Sequence, residues 1–336
     1  MDLNGDGHVD LLSGSWPGEL YFFRGGPGRT FADKELLKNK EGRVINPGGG
    51  VKRKGDGSIE IVGDAKWEES DESPTGWVVI YQGERIVPNP DKQMFSTGNA
   101  TAVFATDWDG DKDLDLLVGT IDGHVYLIPN EGTATSYAFG KEKLLEVSDK
   151  PLKVSGDAGP FVADWDGDGD LDLFVGDGEG AVSLFRNIGS ATKPQLAKAE
   201  QLIAPGSAEY GPNAPAEPTR GERSKVCVTD WNGDGQLDLL VGDMAYLKPP
   251  AKELTDAEKQ QHEAIREQLK PIETRRREIV EKVFSKDKIL NKAERKTLTI
   301  ELKALNEQLA KLESQLPTEI EDHGWVWLFL HKPIRK

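Results

Sequence analysis

The sequence predicts an all-β fold, a β-propeller, carrying one inserted antiparallel α-helical hairpin. Three observations predict it. A nine-residue acidic turn recurs along the chain, short apolar runs sit at the same offsets around each copy, and one stretch switches to a helical apolar period. The turn is Asp-x-(Asp/Asn)-Gly-Asp-x-x-x-Asp, followed by an apolar run and a glycine. Full copies begin at Asp2, Asp107, Asp164 and Asp230, and a degenerate copy runs from Lys52 to Glu60. Successive starts lie 50, 55, 57 and 66 residues apart, a period that belongs to repeat architectures.

The strands follow from what flanks each turn. Ala102–Ala105, Phe161–Ala163 and Val226–Val228 precede it as short apolar runs. After it, Asp115–Gly119 leads through Asp122-Gly123 into Val125–Ile128, and Asp172–Gly176 leads through Glu179-Gly180 into Val182–Phe185. Runs of four or five apolar residues punctuated by Gly and Asp read as strands and hairpins. A further apolar segment closes each unit, as at Leu144-Leu145 and Leu202-Ile203. Three or four strands in about 57 residues is the size of one propeller blade.

The last unit departs from the pattern. Asp238–Gly242 needs a partner strand, and none appears before Gly324–Leu330. The intervening segment, residues 251–316, opens with a capping box at Thr255-Asp-Ala-Glu258, and Asn291-Lys-Ala-Glu294 is a weaker second one. Its apolar positions Leu298, Leu302, Leu305, Leu309, Leu312 and Leu316 alternate spacings of 4 and 3. Ile265, Leu269, Ile272, Ile279 and Val283 form a matching stripe, so the segment predicts a coiled-coil hairpin with a kink at Pro271. A smaller insertion, Ala65 to Thr75, interrupts the degenerate unit. The domain reading is therefore a propeller over 1–250 plus 317–336, of about five units, and a helical hairpin over 251–316. Because the chain starts inside a turn, the pattern expects an N-terminal truncation, which would also account for the lack of a signal peptide; a closed five-bladed ring is the alternative.

Asp at alternate positions of a tight turn aims several oxygens at one point, which suits calcium, a hard cation that takes six to eight oxygens. Gly at position 4 lets the backbone curl. Side chains at positions 1, 3, 5 and 9 and the carbonyl at position 7 supply the candidate ligands. They are Asp2, Asn4, Asp6, His8 and Asp10; Asp107, Asp109, Asp111, Asp113 and Asp115; Asp164, Asp166, Asp168, Asp170 and Asp172; and Asp230, Asn232, Asp234, Gln236 and Asp238. About four calcium ions are expected. None is expected at the degenerate turn, where Lys52 and Lys54 stand at positions 1 and 3 and a lysine ammonium replaces the ion. Solvated Asp-Gly turns are the plain alternative, but a turn needs one Asp rather than four.

The loops with their flanking strands resemble the FG-GAP/VCBS repeat family, whose blades are similar to those of integrin α-subunit propellers. The resemblance covers about 270 residues. It implies a β-propeller, commonly of seven blades, with calcium in its loops, and usually secreted, periplasmic or on the cell surface. The chain departs from that pattern in having fewer units and a helical insert.

Composition narrows the function. With 42 Lys+Arg against 58 Asp+Glu the net charge is −16, which disfavours nucleic acid and anionic membrane as partners. Cys227, the only cysteine, stands in the register of Phe104 and Phe161 and reads as a core residue; no cysteine-built zinc site is possible. Five scattered histidines give no His-x-x-x-His pair, and no Gly-x-Ser-x-Gly occurs. Trp108, Trp165 and Trp231 share loop position 2, and packing between neighbouring blades is their expected role. The leading expectation is a non-catalytic, calcium-binding extracellular scaffold that binds an unknown protein or glycan, with 252–316 as a candidate docking or oligomerisation arm. A carbohydrate-binding propeller using exposed aromatics is the runner-up, and a polysaccharide-cleaving enzyme, for which no acid–base pair converges, is third.

Overall fold

The computed structural model describes residues 1–55, 58–63, 65–73, 76–81, 83–88, 94–97, 99–206, 214–248, 253–284, 292–317 and 320–331. Four antiparallel meanders follow the four complete turns. The first sheet comprises Leu11–Ser13, Tyr21–Phe23 and Glu35–Leu36. The second comprises Thr101–Thr106, Asp115–Thr120, Val125–Ile128 and Lys143–Leu144. The third comprises Gly159–Ala163, Asp172–Gly176, Val182–Phe185 and Glu200–Ile203. The fourth comprises Glu222–Thr229, Asp238–Leu247 and Glu321–Phe329. In the last three, the acidic turn joins the first two strands.

The sheets stack face to face, which explains why the strand after each turn is apolar at consecutive positions. Leu116 and Val118 share a core with Phe22 of the first sheet and with Leu20 and Leu37, which flank its strands. Leu117, between them in sequence, points the other way, into a core with Leu173, Val175 and Phe185 of the third. Phe174, Val182 and Leu184 then pack on Val226, Val228, Leu239 and Val241 of the fourth. A strand buried on both faces loses its polar alternation. The glycine ending each run is equally structural. A Cβ on Gly119 would lie 2.0 Å from the Ala158 carbonyl oxygen, and one on Gly176 would lie 2.3 Å from that of Ser224. The next sheet's first strand passes directly over this position.

The degenerate unit is not part of the stack. The first sheet packs on the second without it. Gly50–Arg53, Ile59–Val62 and Met94–Thr97 form one sheet, in which the last two strands pair parallel rather than as a meander. Lys66–Glu69, Trp77–Tyr81 and Glu84–Ile86 form another, so part of the small insertion is a strand. The two share their own small core of Ile61, Val79, Tyr81 and Ile86. Five units are counted in the sequence; the structure stacks four and hangs the fifth off the connection between the first two.

The helical segment lies where its composition places it. α1 spans Asp256–Phe284 and α2 spans Lys292–Glu313. Thr255 and Glu258 cap α1 reciprocally: the Glu258 amide donates to Thr255 Oγ1 at 3.3 Å, and the Thr255 amide to Glu258 Oε2 at 2.8 Å. The weaker box begins at Asn291, outside the described residues. α1 carries Pro271 inside it and continues beyond it. Ile265, Leu269 and Ile272 in the first half of α1 pack with Leu309 and Leu312 at the end of α2 and with Leu316 just beyond it, so the helices run antiparallel. Arg275 joins Glu301 across them through two bonds of 2.7 and 3.1 Å. Among the described residues no helix is long and apolar enough to cross a membrane.

Candidate metal centre

Each acidic turn is built around its last aspartate. Asp115 is buried, and its Oδ2 accepts the Trp108 amide at 3.1 Å while its Oδ1 accepts the Asn130 amide at 2.7 Å. Asp172 repeats this with Trp165 at 3.1 Å and Asn187 at 2.7 Å. Asp10 takes Leu3 at 2.9 Å and Gly25 at 2.7 Å, and Asp238 takes Trp231 at 3.1 Å and His331 at 2.7 Å. The position-9 carboxylate therefore ties the turn to the end of the sheet's third strand in every unit. Any ligation by it would use the remaining lone pairs of oxygens that already accept backbone donors.

The side chains at positions 1, 3 and 5 curl the turn and converge. Asp164 accepts the Gly167 amide at 2.8 Å and the Gly169 amide at 3.1 Å, and Asp168 accepts that of Asp170 at 2.9 Å. In the second turn Asp107 accepts Lys112 N at 3.1 Å and Asp111 accepts Asp113 N at 3.0 Å. Oxygens of Asp107, Asp109 and Asp111 lie within 4.8 Å of one another, as do those of Asp164, Asp166 and Asp168. The first and fourth turns have the same wrap: Asp2 accepts Asp6 and Gly7 amides at 3.1 and 2.8 Å, and Asp230 accepts Gly233 and Gly235 amides at 2.7 and 2.9 Å. Their position 3 is Asn4 or Asn232, which offers an oxygen without a charge. His8, Asp113, Asp170 and Gln236 lie at the position whose carbonyl is the candidate ligand.

The electrostatics of the second turn suit a divalent cation. Asp107 Oδ1 is buried and accepts no hydrogen bond. Burial, then the charges of Asp111 and Asp115, push the Asp113 carboxyl up to about 6. Burial also pushes Asp115 up to about 6, although the Asn130 and Trp108 amides oppose the shift. Asp2, in the more exposed first turn, is instead lowered, chiefly by the Gly7 amide. In the third turn Arg186 reaches Asp166 Oδ2 at 2.8 Å and already neutralises part of the cluster. In the degenerate turn Lys54 Nζ lies 3.5 Å from Glu60, so an ammonium does stand beside the surviving carboxylate there; Asp56 is outside the described residues.

A family model for an FG-GAP-like repeat matches residues 107–175 and again 164–241, each match beginning at position 1 of an acidic turn. Residues 107–241 are FG-GAP-like repeats. No curated protein matches the chain.

In the first two turns of the FG-GAP-like repeats the aromatic at loop position 2 packs in a core. Trp108 is buried in the core between the second and third sheets, and Trp165 packs in the next one with its ring stacked on His331 at 4.9 Å. Trp231 and Cys227 differ from expectation: both are exposed, and among the described residues no further sheet covers that side of the fourth. Sequence reasoning missed Asn130 and Asn187. Besides donating to Asp115 and Asp172, each turns its side-chain oxygen to two amides of the following loop, Gly132 and Ala138 or Gly189 and Gln195. The signal was present as Asn130-Glu-Gly-Thr-Ala-Thr and Asn187-Ile-Gly-Ser-Ala-Thr, at one offset from the turns. A second cluster lies at the opposite ends of the strands, where Asp157 meets Arg223 at 2.7 Å and Lys225 at 3.3 Å. Burial would raise the Asp157 carboxyl, but Lys225 and Arg223 outweigh it and hold it below its ordinary value.

Proposed function

We infer that the protein is a non-catalytic, calcium-stabilised propeller-type scaffold that works outside the cytoplasm and presents binding surfaces to a protein partner. The observation that carries this is the pair of convergent carboxylate triads, Asp107/Asp109/Asp111 and Asp164/Asp166/Asp168, on turns anchored by a buried fourth aspartate. FG-GAP-like repeats often bind calcium in such loops and are common in extracellular proteins, and the net charge of −16 suits a cation binder. The helical pair α1–α2, read as a coiled-coil arm, is the candidate docking element. Bound calcium would neutralise carboxylates that otherwise repel one another. At free calcium ten times Kd each site adds about 1.4 kcal/mol. The carbohydrate-binding alternative is favoured by Trp16 and Trp231, which expose their indoles.

Terbium titration tests the metal reading, since Trp108 and Trp165 adjoin the two triads and can sensitise its emission. Saturable emission displaced by calcium is expected, and Asp109→Asn with Asp166→Asn should reduce it. No emission and no change in melting temperature between chelator and millimolar calcium would overturn it.

A further inference from the structure

The four complete turns differ in the positive charge that their own unit brings to them. Arg186 directly follows the strand Val182–Phe185 and precedes Asn187, whose amide anchors Asp172. Its Nη1 donates to Asp166 Oδ2 at 2.8 Å and its Nε to Glu200 Oε2 at 3.4 Å. One guanidinium thus bridges position 3 of the third turn and the last strand of the same sheet. Asp166 belongs to the triad whose oxygens converge, so Arg186 holds a member of the candidate centre itself. The Arg186 and Asp166 side chains are 35% and 41% exposed, so the pair can part without unpacking the core.

Strand register shows how the other units differ. Leu173 pairs with Phe185 as Leu116 pairs with Ile128, and Leu184 pairs with Glu200 as Leu127 pairs with Lys143. The places of Arg186 and Glu200 are therefore taken in the second unit by Pro129 and Lys143. Asp109, the counterpart of Asp166, has no ion-pair partner among the described residues. The first unit does have Arg24 and Glu35 at these places. Its position 3 is the uncharged Asn4, however, and Arg24 lies over the Phe22 ring instead. In the fourth unit the place of Arg186 belongs to Leu330. Among the described residues, a charged position 3 and a basic side chain meet in the third unit alone.

We propose that Arg186 is the built-in counter-ion of the third turn and sets how strongly that turn binds a divalent cation. The inference rests on the cation reading of the turns and names the side chain that tunes one of them. Without metal, the guanidinium offsets the charge of Asp166. Asp166 can offer both oxygens to a cation only when Arg186 gives up its bond, and a guanidinium left beside the ion repels it. Glu200 keeps hold of the released guanidinium through Nε, so the exchange is a short swing of one side chain. An exposed ion pair is a modest obstacle, so Arg186 should weaken the third site by about three- to tenfold.

Terbium titration of the full chain, read by tryptophan-sensitised emission, compares the wild type, Arg186→Gln, Asp166→Asn and the double variant. The component lost on Asp166→Asn belongs to the third turn. Arg186→Gln should move its midpoint to about three- to tenfold lower terbium, and should move nothing in the Asp166→Asn background. An unchanged or higher midpoint overturns the proposal and leaves the cation reading standing; so does a shift that persists without the Asp166 carboxylate. Absence of saturable emission from every protein, wild type included, overturns both. Melting curves give a second measurement. The rise in melting temperature from chelator to millimolar calcium should be larger for Arg186→Gln than for the wild type, and an equal or smaller rise overturns the proposal.

Discussion

Asp172→Asn separates the structural role of the acidic turns from their metal role. Both carboxylate oxygens are committed, to Trp165 at 3.1 Å and Asn187 at 2.7 Å, inside a buried strand end. An asparagine keeps one oxygen and turns an amide NH2 toward the other backbone donor, leaving it unpaired at a cost of about 1–3 kcal/mol. Part of this is returned, because burial raises the Asp172 carboxyl and a neutral side chain avoids holding a charge there. The net expectation is a loss of about 1–2 kcal/mol that persists in chelator. Asp168→Asn is the comparison: it is exposed and can still accept the Asp170 amide, so its loss in chelator should stay within about 0.5 kcal/mol. In calcium it should forfeit its site's increment. Urea unfolding followed by tryptophan fluorescence, in chelator and in millimolar calcium, reads both. If Asp172→Asn matches the wild type in chelator, the anchoring argument is wrong.

Two further predictions follow from the same geometry. The Asp113 and Asp115 carboxyls, raised to about 6, bind protons more tightly folded than unfolded, so the metal-free protein should be more stable below pH 6 and lose that stability as pH rises through it. With calcium bound, protons compete with the ion and the slope should reverse; melting curves between pH 5 and 8, with and without chelator, show the sign. Gly119→Ala drives a Cβ to 2.0 Å from a backbone oxygen and should cost at least about 1–3 kcal/mol, whereas Gly242→Ala meets nothing within 3.8 Å and should cost about 1 kcal/mol or less. Equal chemical-denaturation midpoints for the two would refute the account of sheet stacking.

Much of the site was legible because its chemistry is local. Positions 1, 3 and 5 of a nine-residue turn are held by bonds spanning two to five residues, as in Asp164 with Gly167 and Gly169, so spacing alone places their oxygens together. Position 9 was legible as an aspartate but not in its task, since its partners Asn130, Asn187 and His331 lie 15 to 93 residues away. The helical pair was legible for the same reason as the turns: a heptad stripe and a capping box are short-range patterns.

By itself the amino-acid order determined the repeat, the strand and helix types, the acidic turns and the place of the insert. Tertiary structure alone decided which sheets are neighbours. The degenerate unit repeats the motif's spacing in sequence, yet Leu20, Phe22 and Leu37 pack past it onto Leu116 and Val118. Cys227 has the register of a core residue and is exposed, because burial on a sheet's outer face requires a following sheet. Local propensity sets what each strand can bury; only the stack sets what it is buried against.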